Sequence, residues 1–230
     1  MRSGLTTSYP DYADIPVNKN GDYQQLNDAI LQIENEFYGT IRPKRSAASG
    51  ERPLAALGKS GVEYVEVRCV DLDPFEPIGI NSEQIRFLDT FLLLCLLTES
   101  PTDSREESAR MVRNQTAVVE RGRQPGLVLE RDTESVDLRQ WATELLDQCT
   151  YIAEVLDRHA ANNFYSQTLA AQKAKVKDPE FTPSAKVIAA LNEGSSFFDF
   201  TMQNAEQHAE FFANRTGNTA QQARLQTEAG

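Results

Sequence analysis

The chain has 230 residues, of which 40% are hydrophobic and 25% charged, enough to bury a core in one large domain or two small ones; disorder along its whole length is excluded. Its 23 Lys and Arg stand against 34 Asp and Glu, a formal net charge of -11. That field repels nucleic-acid backbones and anionic lipid, so neither nucleic acid nor membrane is expected as a partner.

The opening stretch, MRSGLTTSYPDYADIPVNKNGDY, has no apolar core behind its early arginine and is no secretory signal. It shows no clear period and reads, over 1–25, as an irregular N-terminal edge. From Ala29 to Arg45, Leu31, Ile33, Phe37 and Ile41 share one parity, while Gln32, Glu34, Glu36, Tyr38, Thr40 and Arg42 share the other. A strand with an apolar back and a polar front is preferred over a helix because Gly39 and Pro43 interrupt the run. The small residues of 45–60 read as a connection with one turn of helix at Pro53 to Leu57. In Val62 to Val70, Val65, Val67 and Cys69 alternate with Tyr64, Glu66 and Arg68, a second strand whose back, Cys69 included, is expected to be buried. Residues 26–80 are therefore read as part of an antiparallel sheet presenting one polar surface.

Beyond Asp71 the pattern turns helical. Asn81 or Ser82 caps a helix that is apolar almost all round from Phe91, expected at the buried centre with Cys95. Its longest apolar run, Phe91 to Leu97, is far short of the roughly 20 residues that span a bilayer. Amphipathic helices follow over Ser108 to Glu120, Val136 to Arg158, Phe164 to Val176, Ser184 to Leu191 and Phe197 to Phe212. The expected organisation is a helical region over 81–212 and a frayed polar tail over 213–230, an α+β chain in all.

Few residues suit chemistry. His159 sits in the last turn of a helix and His208 beside a Phe-rich stripe, positions of capping and packing. The three cysteines, Cys69, Cys95 and Cys149, are odd in number and widely spaced, which fits neither a disulfide framework nor a CxxC knuckle, and a reducing, cytoplasmic compartment is the simplest reading. Neither GxxxxGK[ST] nor GxGxxG occurs. What remains is Glu66 and Arg68, two apart on one strand face, about 6.5–7 Å from each other. A carboxylate there could hold a divalent cation while a guanidinium reaches a bound oxyanion, the pairing phosphoryl transfer needs. The same spacing also makes an ordinary solvated ion pair, worth about 0–1 kcal/mol. Spacing alone favours that second reading.

The run GVEYVEVRCVDLDPFEPIGI, followed by QIRFLDTFLLLCLL, closely resembles the proteobacterial type of glutamate–cysteine ligase. LQIENEFYGTIRPKR upstream, and GRQPGL and DPEFTPSAKV downstream, resemble segments of that family in the same order, so the resemblance covers Leu31 to Leu191. It implies a fold related to glutamine synthetase: part of an antiparallel sheet whose concave face carries the active site, followed by a mainly helical region. It implies a reaction in which ATP, with Mg²⁺, phosphorylates the γ-carboxylate of L-glutamate and the amine of L-cysteine attacks the acyl phosphate, the first step of glutathione synthesis. By resemblance, Glu66 matches a metal-ligating glutamate, Arg68 a catalytic arginine that contacts glutamate and the transferred phosphate, and Tyr38 a tyrosine near the cysteine substrate. Arg42 and Arg45 are placed near the nucleotide on charge and position only.

The chain departs from the family in length. The family's enzymes are considerably longer, and most acidic metal ligands and much of the ATP and cysteine sites belong to a part that would precede Met1. One Glu and one Arg cannot hold two or three Mg²⁺, so little or no ligase activity is expected of the chain alone. The alternatives are a non-catalytic helical subunit or remnant that complements a separate N-terminal half, and another carboxylate–amine ligase on the same scaffold. In the first of these, Phe87, Phe91, Phe197, Phe198, Phe211 and Phe212 would form an interface; core packing is expected for most of them.

Overall fold

The computed structural model describes residues 2–100, 102 and 104–215, and the chain divides into two units, Met1–Asp71 and Leu72–Gly230. The architecture is α+β, and all three sheets among the described residues are antiparallel pairs.

In the first unit two short helices, α1 (Arg2–Thr6) and α2 (Pro10–Ala13), precede a hairpin of β1 (Asn18–Lys19) and β2 (Asp22–Tyr23). Its Asn20-Gly21 turn has φ of 57° and 95°, the left-handed pair that a two-residue hairpin requires. The strand expected over Ala29 to Arg45 forms only at its end, as β3 (Ile41–Lys44). Side chains capture the earlier backbone instead. Gln32 Oε1 accepts from the N–H of Leu26 at 2.8 Å, Gln32 Nε2 donates to the carbonyls of Asn27 and Ala29, and Glu36 Oε2 accepts from Gln32 N–H at 2.7 Å. Local amide and carboxylate bonds of this kind compete with a ladder and hold the segment as a braced loop.

β3 pairs with β4 (Tyr64–Val67) in a register that sets Arg42 opposite Glu66 and Lys44 opposite Tyr64. Between them runs α3 (Pro53–Ser60), two turns rather than the one expected. Proline opens it, Glu34 Oε2 accepts from Leu54 N–H at 2.9 Å, and Arg45 Nη1 donates to Ser60 O at 2.8 Å at its other end. The apolar back of the β3–β4 ribbon is not sealed: Ile41 is 50% and Val65 43% exposed, and Cys69 is exposed too, against expectation. Two strands make a ribbon too narrow to bury a face alone.

The second unit is helical: α4 (Ser82–Leu97), α5 (Arg105–Arg121), α6 (Leu138–Ala160), α7 (Phe164–Lys177), α8 (Pro183–Asn192) and α9 (Phe197–Ala213). Asn81 caps α4 in a reciprocal box with Gln84. A hairpin of β5 (Val128–Arg131) and β6 (Glu134–Asp137) precedes α6 and takes Val136, which the periodicity had assigned to the helix. Leu127, Leu129 and Val136 form a small core there with Trp141 against it. The main core is Leu146, Cys149, Ala153 and Leu169, with Phe87, Phe91 and Leu94 packed on it. Those three lie at i, i+4 and i+7, so α4 uses one stripe and is not buried all round. Leu96 and Leu97 are more than 70% exposed, and Cys95 is exposed rather than buried. Of the six phenylalanines weighed as core or interface, Phe87 and Phe91 are core; Phe197, Phe198, Phe211 and Phe212 are exposed, against expectation. Of the expected tail, residues 216–230 lie outside the described residues. No helix among the described residues is long and apolar enough to cross a membrane.

Asp157, buried in the last full turn of α6, joins that helix to α7. Its Oδ1 accepts from Tyr165 N–H at 2.8 Å and its Oδ2 from Ser166 N–H at 2.9 Å, capping α7 from the preceding helix. Burial pushes its pKa up, but the bonds from Ser166 and Tyr165 outweigh that and hold the carboxyl below its ordinary value. The folded pKa lies below the unfolded one, so the contribution is present above the unfolded value of about 3.9 and is lost as pH falls through the folded value. Asp157→Ala should cost about 1–2 kcal/mol in urea denaturation at neutral pH, a difference from wild type that shrinks below about pH 4. An equal difference at both pH values would show that the carboxylate is not what caps α7.

Candidate functional site

The polar front of the β3–β4 ribbon gathers the charged side chains of the first unit. β4 presents Glu66, and Arg68, one step past its end, stays in line because its N–H donates to Thr40 O at 2.8 Å. Arg68 Nη2 donates to Glu66 Oε1 at 2.9 Å, and its guanidinium lies 5.8 Å from the centre of the Tyr38 ring. From β3, Lys44 Nζ stands 3.2 Å from Glu66 Oε2 but off the line of a hydrogen bond. That oxygen is shielded from solvent and has no hydrogen-bond donor among the described residues.

The hydrogen bond from Arg68, and then Lys44, hold the Glu66 carboxyl below its usual range, so it is an anion at neutral pH. Beside this row lies a cleft of about 440 Å³ whose charged walls are Glu34, Arg42, Lys44 and Arg45, with Tyr38 and Tyr64 contributing rings. Three cations face one carboxylate in a chain of net charge -11, so the cleft is a local reversal of sign suited to an anionic ligand. Arg45 is part-committed, since its Nη1 caps α3. Arg42 lies across from Glu66 in the ladder and lines the cleft.

Tyr38, Glu66 and Arg68, the three residues singled out from the sequence, therefore form one continuous row. Lys44 completes it and was not among them. The even parity that marks Arg42 on the polar face extends one step to Lys44, so the signal was present in the pattern. Whether that face met Glu66 depended on strand register, which the pattern leaves open. No group of three or more His, Cys, Asp or Glu side chains that could hold a metal occurs among the described residues. Cys149 is fully buried and burial raises its thiol pKa, which suits a core residue rather than a nucleophile.

Comparison with known proteins adds a family. The sequence profile described as "Glutamate-cysteine ligase" matches residues 1–118. A glutamate–cysteine ligase of Pseudomonas fluorescens (strain Pf-5) is 44% identical over all 230 residues, which are 43% of its own length. One from Azotobacter vinelandii is 46% identical, with the same coverage of both chains. Among solved structures, the glutamate–cysteine ligase of Francisella tularensis in complex with AMP superposes with a TM-score of 0.80 at 36% identity, over 99% of this chain and 45% of that one. The chain thus spans less than half the length of the relatives it matches.

Proposed function

The chain belongs to the glutamate–cysteine ligase family, and from that premise we propose that it forms part of an ATP-dependent ligase joining the γ-carboxylate of L-glutamate to the amine of L-cysteine through a γ-glutamyl phosphate. The observation that carries this reading is the row Tyr38–Arg68–Glu66–Lys44 beside a cationic cleft.

Forming an acyl phosphate requires a carboxylate to approach the terminal phosphate of ATP, so two anions must be held together. Arg68 supplies a planar fork able to bind carboxylate or phosphate through two donors, and Glu66 fixes its direction from one side. Tyr38, 76% exposed under the guanidinium, offers a ring and a hydroxyl where the third substrate would sit. Lys44 and Arg42 line the cleft and offset the charge of a nucleotide. The Francisella tularensis ligase is a complex with AMP, which supports a nucleotide as a ligand of the enzyme to which this chain would contribute.

A Mg²⁺ ion would neutralise charge on the transferred phosphate. Glu66 suits one position in its coordination shell: it is ionised, and a cation would take the place at Oε2 that the Lys44 ammonium, 3.2 Å away, fills in this structure. Mg²⁺ takes about six oxygen ligands, and the described residues offer no cluster to supply the others, so Glu66 would be one ligand and not a site.

Two experiments test the proposal. The purified chain, given ATP, Mg²⁺, glutamate and cysteine, should release no ADP above background, because a single carboxylate cannot hold the metal; turnover comparable to an intact ligase would overturn the assignment of only partial machinery. A chimera in which this chain replaces the matched 43% of the Pseudomonas fluorescens ligase should form γ-glutamylcysteine and ADP in equal amounts. A folded chimera that binds ATP but makes no product would sink the function itself.

A further inference from the structure

The helical unit holds a cavity of about 390 Å³ that plays no part in the ligase reading. Its walls are apolar: Phe87 and Phe91 from α4, Leu145 and Leu146 from α6, and Val176 from α7. The two rings stack with centroids 5.9 Å apart. Its volume lies within the range of small-molecule pockets, and its walls have the composition of one.

The charged residues around this apolar wall are of one sign. Arg123, in the connection between α5 and β5, Arg139 in the first turn of α6 and Lys175 in the last turn of α7 all line the cavity, and no Asp or Glu does among the described residues. Lys175 Nζ approaches Glu83 Oε1 at 3.4 Å, and Arg123 Nη2 donates to Glu180 Oε1 at 3.0 Å. Two cations are thus partly answered from outside the lining. Arg139 makes no ion pair among the described residues, and the Nε–H of Arg123 is shielded from solvent with no acceptor. A shielded donor without a partner is uncommon in folded proteins and calls for a ligand or water to satisfy it. With Lys175 and Arg123 each answered by one carboxylate, Arg139 is, among the described residues, the unpaired cation at the apolar hollow and the Arg123 Nε–H an unsatisfied donor beside it, which describes a ligand with a hydrocarbon body and a single anionic head.

We propose that this cavity binds an amphipathic monocarboxylate, its body against Phe87, Phe91 and Val176 and its carboxylate at Arg139 and Arg123. A carboxylate fits the planar guanidinium donors, and the apolar body accounts for the walls. The proposal concerns the second unit only and stands or falls independently of ligase chemistry.

Calorimetric titration of the full chain with decanoate, decanol and decylamine, each below its micellar concentration, reads it directly. Decanoate should bind saturably at one site, decanol about tenfold more weakly, and decylamine not at all. Arg139→Gln, a change at a half-exposed position that should leave the fold intact, should weaken decanoate about tenfold and leave decanol unchanged. Ala142→Phe fills the cavity and should abolish binding of both, and its circular-dichroism melt reports whether the unit still folds. Equal affinity for decanoate and decylamine, non-saturating uptake, or decanoate binding indifferent to Arg139→Gln would each overturn the proposal, whatever becomes of the Ala142→Phe protein.

Discussion

Arg68→Ala in the chimeric ligase is expected to lower kcat about 10²–10³-fold, the usual consequence of removing one donor from developing charge in a water-poor site. In the proposed reaction Arg68 would face both anionic reactants; Glu66, 2.9 Å away, and the Tyr38 ring flank its guanidinium. Arg68→Lys should recover only part of the loss, since an ammonium restores charge without the two parallel donors. The competing role is structural: a half-exposed Glu–Arg pair on a solvated ribbon, worth little to stability. The two roles separate cleanly. If Arg68 only paired with Glu66, both variants would turn over within a few-fold of the parent, and the melting temperature would barely move. Glu66→Gln supplies the cross-check, because loss of a metal oxygen ligand should raise the Mg²⁺ concentration needed for half-maximal rate, whereas loss of a surface ion pair should not.

Leu146→Ala should cost the helical unit about 2–5 kcal/mol, with a fall in Tm of about 5–15 °C. Leu146 is 5% exposed and packs with Cys149, Ala153 and Leu169 where α4, α6 and α7 meet. It also borders the cavity, so truncation would enlarge that hollow as well as remove core contacts. Val119→Ala is the control: at 78% exposure on α5 it should change stability by less than about 0.5 kcal/mol. A small effect at Leu146 would mean the unit repacks freely and its core is less specified than its geometry implies.

The helices and, of the candidate site, Tyr38, Glu66 and Arg68 but not Lys44 were legible in the sequence for identifiable reasons. Asn81, three places before Gln84, announces the start of α4 through bonds that depend on neighbours a turn away, whereas the caps Ser104 of α5 and Asp137 of α6 lie away from the starts at Ser108 and Val136 that periodicity suggests. Period-two alternation put Glu66 and Arg68 on one face without any knowledge of what faced them. The strand over residues 29–40 misled because its alternation was real, yet Gln32 and Glu36 bound the backbone first. The β5–β6 hairpin went unseen because Val136 also fits the stripe of α6, and a four-residue strand is too short for its period to outvote a long helix beside it.

What the sequence alone determined, then, rests on interactions within a few residues: the cap of α4, the helical stripes, the polar face of β4 and, by resemblance, the family. What only the tertiary structure decided rests on partners far apart in the chain. Register across β3 and β4 brought Lys44 to Glu66, the approach of α4, α6 and α7 chose which stripe of each helix is core, and the meeting of Arg123, Arg139 and Lys175 made one cationic rim. Alternation and periodicity say which way a side chain points, but the identity of what it meets is set by the packing of distant segments, and that is a property of the folded chain alone.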